Sequence, residues 1–487
     1  GSNRQVKLRS PRPVIVSMLN NKGVIYIERR QYSLAKKSLN RALRMAESTI
    51  DCHRAAISTF RDEFDSLSLI CKENNSAEEK APFKHRAEYD EGMDYFNGAR
   101  KLSDGTGHHC SGTILFNLAR VHHNQGKYED ALGLYKRSLR AIEQFPVADD
   151  TLALAILFGI GQIQYIRGDH ADSLATYMTC LQYSRSKFGE ESLEVAACMN
   201  CMGVLNYIMP KGDSDAALDA LQRAIRLRVL LLGERHIDVG TTWNNIGRIY
   251  FQKGQYENAM EAYRKALSIR RDEQGDSVDV AATIFNVGQV FHQKGDRDRA
   301  LRHYQEFLKL AKRHFGEYHR DICIVTTCIG QVLHEKKDFK KSLRAFNHAL
   351  KIGRVARGAV HAEIAITLNK LGNLYYETGD LDAALKAYHQ GLQVELSVLE
   401  PGNPNVCVTY TNIAEIHKQR AEYDKALINY ERVLNLQRRH GAEQLDIANT
   451  LSSIGYVRHQ KGDYAGAMEV NQECLRLRRE AMGDVDE

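Results

Sequence analysis

The chain of 487 residues has little of what several protein classes require. It contains one tryptophan and 7 prolines, and its 67 basic and 61 acidic residues leave a formal net charge of only +6. The longest apolar run, 152–163, is interrupted by glycines and is much shorter than the roughly 20 residues of a membrane-spanning helix. A nearly balanced charge does not indicate a dedicated nucleic-acid surface. The composition therefore excludes collagen-like, disordered and integral-membrane proteins and predicts a folded, soluble one.

The 10 cysteines have no regular spacing, which is typical of reduced thiols in an intracellular protein. We therefore expect a cytoplasmic location. Cys198 and Cys201 form a Cys-x-x-Cys pair, but no second pair completes a tetrahedral zinc site. Because both cysteines fall on a predicted helix at three-residue spacing, we expect them to fill space as small apolar residues.

Histidines also cluster, in His108-His109-Cys110 with His122 and His123 nearby. They could chelate a metal, but solvated loop histidines are the commoner interpretation of a glycine-rich segment. The sequence has no phosphate-binding loop, no His-Glu-x-x-His and no Gly-x-Ser-x-Gly. We expect no metal, no cofactor and no enzymatic activity.

An internal repeat dominates the sequence. Ten segments share a small anchor residue, an aromatic or similar residue three positions later, a glycine near the seventh position, and then alternating aromatic and alanine positions. The eight steps from Ala119 to Gly455 average 42 residues. The anchors are Gly23, Ala119, Gly161, Gly203, Gly247, Gly288, Gly330, Gly372, Ala414 and Gly455.

Each repeat is predicted to form two amphipathic helices, because its apolar residues recur at three- and four-residue spacing. A glycine after each anchor should end the first helix in the left-handed conformation, which glycine adopts cheaply. A second set of glycines should end each second helix, and an acidic residue or Asn should then begin the next first helix. The first set of glycines is Gly126, Gly168, Gly212, Gly254, Gly295, Gly379 and Gly462. The second set is Gly189, Gly233, Gly275, Gly316, Gly358, Gly402, Gly441 and Gly483.

The anchor, aromatic and alanine pattern resembles the tetratricopeptide repeat (TPR). The 42-residue unit and the linkers at 232–239 and 315–322 are similar to those of the kinesin light chain-like subclass. The resemblance implies an all-α, right-handed superhelical solenoid of about ten helix-turn-helix units. It also implies a non-enzymatic protein-interaction scaffold or adaptor that recruits cargo or a complex. Two features depart from a kinesin light chain: there are ten repeats rather than about six, and no heptad coiled coil precedes them.

The regular spacing of the anchors is interrupted once, between Gly23 and Ala119. We predict a tag remnant and N-terminal tail at 1–13, the first TPR unit at 14–45, and a helical insertion with a mobile loop at 46–111. Units two to ten should follow at 112–482, with a truncated linker at 483–487. The insertion is interpreted as a hairpin packed on the solenoid, or alternatively as a regulatory segment that occupies the groove.

Asn, Gln and Arg recur beside the anchors, where an exposed helix interior gains nothing from Asn. The resemblance implies that first helices line a concave groove, and a carboxamide can donate to and accept from an extended peptide backbone. The alternative is that Asn bridges neighbouring repeats. The candidate groove residues are Asn21, Asn117, Arg120, Asn244, Asn245, Arg248, Asn286, Gln289, Asn369, Asn373 and Asn412.

The expected partner is a protein carrying a linear motif with an apolar or aromatic anchor and some acidic residues, since arginine pairs with carboxylates. No nucleic acid or membrane partner is expected. Chaperone C-termini are disfavoured, because the positions where related proteins carry a basic residue for the terminal carboxylate hold Ile324, Ile366 and Val408 among others. Two rival hypotheses remain: the substrate-recognition arm of a larger enzyme or motor whose catalytic part is absent from this sequence, and single-stranded RNA binding.

Overall fold

A computed structural model describes residues 20, 22, 24, 27, 31–47, 110–143, 150–209, 212–358, 361–399 and 403–482. The predicted N-terminal tail, nearly all of the predicted insertion, and the linker at 483–487 lie outside these ranges, as does Asn21. Their predicted structures therefore stay predictions.

The described ranges contain nineteen helices and no strand, which confirms the predicted all-α class. Nine complete helix pairs follow one second helix, α1. In chain order the helices are α1 (Tyr32–Glu47), α2 (Cys110–Asn124), α3 (Tyr128–Glu143), α4 (Asp150–Arg167), α5 (His170–Phe188), α6 (Leu193–Ile208), α7 (Ser214–Leu232), α8 (Ile237–Gln252), α9 (Tyr256–Gln274), α10 (Val278–Gln293), α11 (Arg297–Phe315), α12 (Arg320–Glu335), α13 (Phe339–Arg357), α14 (Ala362–Glu377), α15 (Leu381–Val398), α16 (Pro404–Gln419), α17 (Tyr423–Arg439), α18 (Gln444–Lys461) and α19 (Tyr464–Met482).

The chain divides into two compact units after Gly275, with α1–α9 in unit 1 and α10–α19 in unit 2. Inside each unit every first helix packs on its own second helix, and that second helix packs on the next first helix. This nearest-neighbour stacking is the organisation of a helical-repeat solenoid.

The anchor glycine lets the two helices of a pair approach closely. A Cβ atom added to Gly247 would lie 2.6 Å from Cε1 of Tyr263, and one added to Gly330 would lie 2.7 Å from Cδ1 of Phe346. Tyr263 and Phe346 are fully buried. The sequence pattern of a small residue followed sixteen positions later by an aromatic one therefore describes a direct contact between the two helices.

Glycines with positive φ end most first helices, as predicted, for example Gly254 with φ 71° and Gly379 with φ 83°. The prediction is wrong for Gly212, which is not among the glycines of positive φ. Two additional residues separate the anchor from this glycine. The helix α6 ends at Ile208, and Met209 follows it in extended backbone with φ −61° and ψ 141°. Lys337 and Ala421 take the positive-φ position in two described repeats that lack the glycine.

The second set of glycines behaves as predicted wherever the structure describes it. The described members of that set all have positive φ and follow the second helices. The acidic residues of the linkers lie in the first turns of the first helices, as at Asp238 and Asp279, where they face free backbone amides. The N-cap is instead the residue before the helix, such as Ser277, whose hydroxyl accepts from the Val280 amide.

Ion pairs join neighbouring repeats at a constant sequence distance. A basic residue at or just after the end of a first helix contacts the acidic second residue of the preceding second helix, 37 or 38 positions earlier. Because these acidic side chains are mostly solvent-exposed, each pair adds little stability but marks the register between repeats. The pairs are Arg167–Glu129, Lys253–Asp215, Lys336–Asp298, Arg420–Asp382 and Lys461–Asp424.

The close approach at the anchors gives the first prediction. Gly247→Ala should lower the free energy of unfolding by about 1–3 kcal/mol, because the new methyl group overpacks against Tyr263. Urea denaturation followed by circular dichroism measures the change.

Gly133→Ala is the matched control. Gly133 is an exposed helical position in the same unit, with nothing within 4 Å of an added Cβ. This change should be neutral or stabilising by up to about 1 kcal/mol, because alanine favours a helix more than glycine does. Equal destabilisation by both changes would contradict the packing argument.

Candidate functional site

Three neighbouring first helices of unit 2 present one accessible face, which we call the first-helix face. It consists of four positions on each of α12, α14 and α16, spaced by four, three and four residues, so that they lie along one side of each helix. All twelve side chains are half-buried or exposed. They are Ile324, Cys328, Gln331 and Glu335 on α12, Ile366, Lys370, Asn373 and Glu377 on α14, and Val408, Asn412, Glu415 and Gln419 on α16.

Side-chain hydrogen bonds connect these first helices directly. The hydroxyl groups of Thr327 and Thr367 lie 2.9 Å apart between α12 and α14. Lys370 Nζ on α14 donates to Gln331 Oε1 on α12 at 2.6 Å. Asn369 Nδ2 on α14 donates to Thr409 Oγ1 on α16 at 2.7 Å. The three helices are therefore adjacent, and side chains at equivalent positions form rows that cross from one repeat to the next.

The row nearest the N-terminal ends of these helices is apolar. Ile366 is 42% exposed and Val408 is 55% exposed, while Ile324 is half-buried. Isolated exposed apolar residues are ordinary in soluble proteins, but three β-branched residues at one repeat position form an apolar edge along the face.

The opposite end of the face is acidic, and side chains of unit 2 contact its carboxylates. Glu335 Oε1 lies 2.9 Å from His292 Nε2, and Glu377 contacts His334 and Lys337. Burial pushes the pKa of Glu335 upward, but the interactions with His292, the hydrogen bond from Gln331 and the charge of Arg297 together outweigh it, so the pKa lies below its usual value. The hydrogen bond from Lys337 holds the pKa of Glu377 below its usual value as well.

Between these two ends lies Lys370, one turn after Ile366. Its hydrogen bond goes to the neutral amide oxygen of Gln331 rather than to a carboxylate. Burial lowers the pKa of this ammonium group, with Cys328 and Glu335 acting in the opposite direction. The face thus changes from apolar, through a cation, to acidic along the helices.

Burial divides the groove residues predicted from the sequence. Asn117, Asn244, Asn245, Arg248 and Asn286 are more than nine-tenths buried. Arg120, Gln289, Asn369 and Asn412 are half-buried, and Asn373 is exposed. A partner that approaches from solvent can reach the second group without rearrangement of the helices. Contact of any of these residues with a partner stays a prediction.

Several of these asparagines bridge neighbouring repeats, which is the alternative considered from the sequence. Asn117 Nδ2 donates to Asn20 Oδ1 at 2.9 Å, and Asn245 Nδ2 donates to Asn200 Oδ1 at 3.2 Å. Buried carboxamides gain more from such bonds than exposed ones, because an unpaired polar group would cost free energy.

Asn369 connects three helices of unit 2. Its Nδ2 donates to Glu395 Oε1 on α15 at 2.8 Å and to Thr409 Oγ1 on α16 at 2.7 Å. Glu395 is 1% exposed and Thr409 is fully buried. Burial raises the pKa of Glu395, and the hydrogen bonds from Thr409 and Asn369 act against that rise.

Arg248 lies over an aromatic ring inside unit 1. Its guanidinium carbon is 5.1 Å from the ring centroid of Tyr207, and burial lowers its pKa to about 10. The first helices of unit 1 also bury the position after the anchor at Gln162 and Val204, whereas Gln331, Asn373 and Glu415 are accessible at that position in unit 2. Apart from Arg120, which is half-buried in unit 1, the accessible candidate residues lie in unit 2.

Sequence reasoning missed some of the residues on this surface. Ile366 and Val408 were considered only because they are not basic, and Lys370 was not considered. The signal was available in the 42-residue spacing, which places Ile324, Ile366 and Val408 at one repeat position.

The bridging role of Asn369 gives a second prediction. Asn369→Ala should lower the free energy of unfolding by about 1–3 kcal/mol, because buried Glu395 and Thr409 each lose a hydrogen bond. Thermal and urea denaturation measure the loss. Asn412→Ala, which removes a half-buried carboxamide in the neighbouring repeat, should change stability by less than about 0.5 kcal/mol. Similar losses for the two variants would contradict the bridging role.

The histidines considered as metal ligands pack inside unit 1 where the structure describes them. His122 Nδ1 lies 3.2 Å from Asp130 Oδ2, and the His123 ring centroid lies 5.9 Å from that of Tyr128. No cluster of three or more His, Cys, Asp or Glu side chains suited to a metal occurs among the described ranges. His108 and His109 lie outside those ranges.

Cys198 and Cys201 are buried, in keeping with a space-filling role.

His123 gives a third prediction, on pH. Burial lowers its pKa to about 4, with the charge of Arg120 adding to the effect. The unfolded chain takes up the proton near pH 6.5 and the folded chain only near pH 4, so stability is complete above pH 6.5 and falls between these values. His123→Phe should remove up to about 2 kcal/mol of the stability loss between pH 7 and pH 5. Melting temperatures at the two pH values test this. The same change at exposed His348 should leave the pH dependence as it is, and a matching effect there would contradict the assignment.

Family models match most of the chain. A tetratricopeptide repeat model matches residues 84–144, 152–228, 207–272 and 405–480, a second one matches 16–49, and a model of the MalT-like TPR region matches 246–403. The chain belongs to the tetratricopeptide repeat family. The match at 84–144 begins inside the predicted insertion at 46–111, so the boundaries of that insertion stay a prediction.

Curated relatives of this TPR protein are distant and longer. It is 24% identical over 161 residues to the human protein named clustered mitochondria protein homolog. The aligned segment is 33% of this chain and 12% of the relative. It is 22% identical over 175 residues to the Arabidopsis thaliana protein KINESIN LIGHT CHAIN-RELATED 2. This aligned segment is 36% of this chain and 26% of the relative. The second similarity supports the resemblance to kinesin light chain-like TPR proteins. The chain spans about a tenth to a quarter of the length of these relatives.

Among solved structures, the apo form of RapI matches 77% of this chain and 99% of its own, with a TM-score of 0.51 and 15% identity. This similarity supports the helical-repeat fold alone. Within the described ranges, no helix of the TPR protein combines the length and apolar character needed to span a bilayer.

Proposed function

We propose that this TPR protein is a non-enzymatic, cytoplasmic adaptor that binds an extended segment of a partner protein across the first-helix face of unit 2. TPR repeats are protein-interaction modules, and the proposal assigns that general role to a particular surface. The observation that carries it is the register of twelve accessible side chains on α12, α14 and α16.

The repeat geometry favours an extended ligand. Packed helices lie roughly 8–10 Å apart, and an extended chain advances about 3.3 Å per residue. A bound segment that crosses the helices therefore meets an equivalent row position about every third residue. Asn373 on α14 and Asn412 on α16 are accessible on this face. Asn373 Oδ1 accepts from the Tyr388 hydroxyl at 2.6 Å, so its Nδ2 group can donate to a peptide carbonyl, while the Asn412 carboxamide can both donate and accept.

The chemistry of the face favours a linear motif with an apolar or aromatic anchor and acidic residues. Ile366 and Val408 offer apolar contact, and Tyr376, which is 39% exposed and directly precedes Glu377 on α14, offers an aromatic ring beside the face. A chaperone C-terminus fits less well, since a terminal carboxylate would meet Ile324, Ile366 and Val408. The similarity to a kinesin light chain-related protein supports recruitment of cargo or of a complex as the biological role.

A second candidate function is the recognition arm of a larger enzyme or motor. It is favoured by the observation that the chain spans only 12% and 26% of the length of two curated relatives. The full length of the parent protein distinguishes the two functions, because a catalytic domain in the same polypeptide would support the second.

Affinity capture tests the adaptor function. Asn373→Ala with Asn412→Ala should reduce capture of partners from a cell lysate by at least about tenfold, because two carboxamide contacts with a peptide backbone are lost. Quantitative mass spectrometry of the bound proteins measures the loss.

The control variant is Asn347→Ala with Asn435→Ala, which removes two exposed asparagines from second helices of the same unit. It should capture the same partners as the unchanged protein. Equal capture by all three proteins would place partner binding away from the first-helix face and contradict the proposal.

A further inference from the structure

Two second helices of successive repeats in unit 2, α11 and α13, concentrate positive charge. Together they contain twelve lysines and arginines and two acidic residues, an excess larger than the formal net charge of +6 of the whole chain. The helix α13 has no acidic residue at all. We infer that the solvent-exposed side of these two helices, which we call the basic face, binds the negatively charged surface of a lipid membrane. This inference goes beyond the proposed function and does not rest on it.

The basic face consists of matched residues on two helices that both pack against α12. Each cation of α13 follows one of α11 by 42 positions, so the repeat arranges them in four rows that cross from one helix to the other. All eight side chains are exposed. Since a helix advances 1.5 Å per residue, the rows cover roughly 20 Å along each helix. The rows are Arg299 with Lys341, Arg302 with Arg344, Lys309 with Lys351, and Lys312 with Arg354.

The requirements of helix formation do not explain this charge. Cations are favourable in the last turn of a helix, but Lys340 and Lys341 lie in the first turn of α13, where the helix dipole disfavours them. Lys340 and Arg344 are four positions apart, and Lys351 and Arg354 are three positions apart. At these spacings like charges destabilise a helix. The arrangement therefore costs stability, and an anionic ligand would offset that cost.

Neighbouring carboxylates neutralise only part of the basic face. Three cations have an acidic neighbour at 2.7–3.7 Å, in the pairs Arg299–Asp296, Lys312–Glu317 and Lys341–Asp338. The charge of Arg302 acts on Asp298, a carboxylate that already contacts Lys336. The remaining four cations form no ion pair with any residue that the structure describes; they are Lys309, Arg344, Lys351 and Arg354.

The shape and the edge of the basic face favour a lipid surface over other anions. Rows on two helices form a two-dimensional array that can face several headgroups at once, whereas an extended acidic peptide follows a single line. The rows contain no aromatic side chain on which the bases of single-stranded RNA could stack. Beside them, Tyr318 just after α11 and Val355 in the last turn of α13 are 45% and 61% exposed. Apolar groups next to cations suit the boundary between headgroups and hydrocarbon.

Local charge, rather than net charge, decides this kind of binding. The small net charge of the chain led us to expect no membrane partner. The attraction to an anionic surface decays within about 10 Å at 0.1 M salt, however, so distant acidic residues contribute little. Clusters of roughly four to eight lysines and arginines bind anionic lipids, and each such residue near the surface strengthens binding by a factor of about five.

Cosedimentation of the full chain with lipid vesicles tests the inference. Vesicles of phosphatidylcholine with about 30% phosphatidylserine should bind the chain at least about tenfold more tightly than vesicles of phosphatidylcholine alone. Arg344→Gln with Lys351→Gln should weaken binding to the anionic vesicles by at least about tenfold, because two cations of the basic face are lost. Equal binding to the two kinds of vesicle would overturn the inference.

The matched control is Lys386→Gln with Lys425→Gln, which removes the same charge from exposed positions on the second helices α15 and α17. Binding of this variant to the anionic vesicles should stay within about twofold of the unchanged chain. An equal loss in both variants would show that net charge alone matters and would overturn the assignment to the basic face.

The apolar edge distinguishes a membrane from other polyanions. Tyr318→Ser with Val355→Ser should weaken binding to the anionic vesicles at least about threefold, because less apolar surface enters the interface. Unchanged binding would remove the edge from the site and contradict the choice of a lipid surface. A duplex RNA of about 20 base pairs or a polyglutamate peptide that displaces the chain from vesicles of equal total charge would assign the basic face to nucleic acid or to an acidic protein, and would overturn the inference.

Discussion

The close contact between the anchor residue and a large residue of its second helix is the constraint on which the rest of each repeat depends. At Gly372 an added Cβ would lie 2.5 Å from the ring of Tyr388, and the same contact recurs in both units with Tyr, Phe or Leu as the second partner. Because this packing fixes which side of the first helix faces its own second helix, it also fixes which side is left for neighbours and solvent. The accessible rows of unit 2 follow from that orientation.

The helix boundaries could be predicted from sequence because each boundary has its own local chemistry. Glycines such as Gly254 and Gly379 adopt positive φ without strain, whereas other residues adopt it at a cost in free energy. The same reasoning failed at Gly212, where spacing rather than residue type decides the geometry. A turn that is two residues longer can leave the helix in extended backbone, so the glycine is not required to take positive φ.

The site was harder to predict than the fold, for a physical reason. Sequence spacing tells which side of a helix a residue occupies, but not how closely the next first helix approaches that side. Arg248 and Asn373 both follow their anchor glycine by one residue, yet Arg248 is 5% exposed and Asn373 is open to solvent. The difference comes from the surroundings of each first helix, which no single repeat encodes. Apolar positions such as Val408 become informative only after their exposure is known.

The ion pairs at 37- or 38-residue spacing have a consequence for how such a chain can change its length. Each pair takes one partner from a repeat and the other from its neighbour, as Arg420 does with Asp382 and Lys461 with Asp424. When one whole repeat is gained or lost, the basic partner of one repeat still meets the acidic partner of its new neighbour. An insertion of any other size inside a helix pair moves these two partners out of register. The architecture therefore tolerates duplication in units of one repeat, and chains of this kind can be lengthened by recombination while every internal interface is preserved.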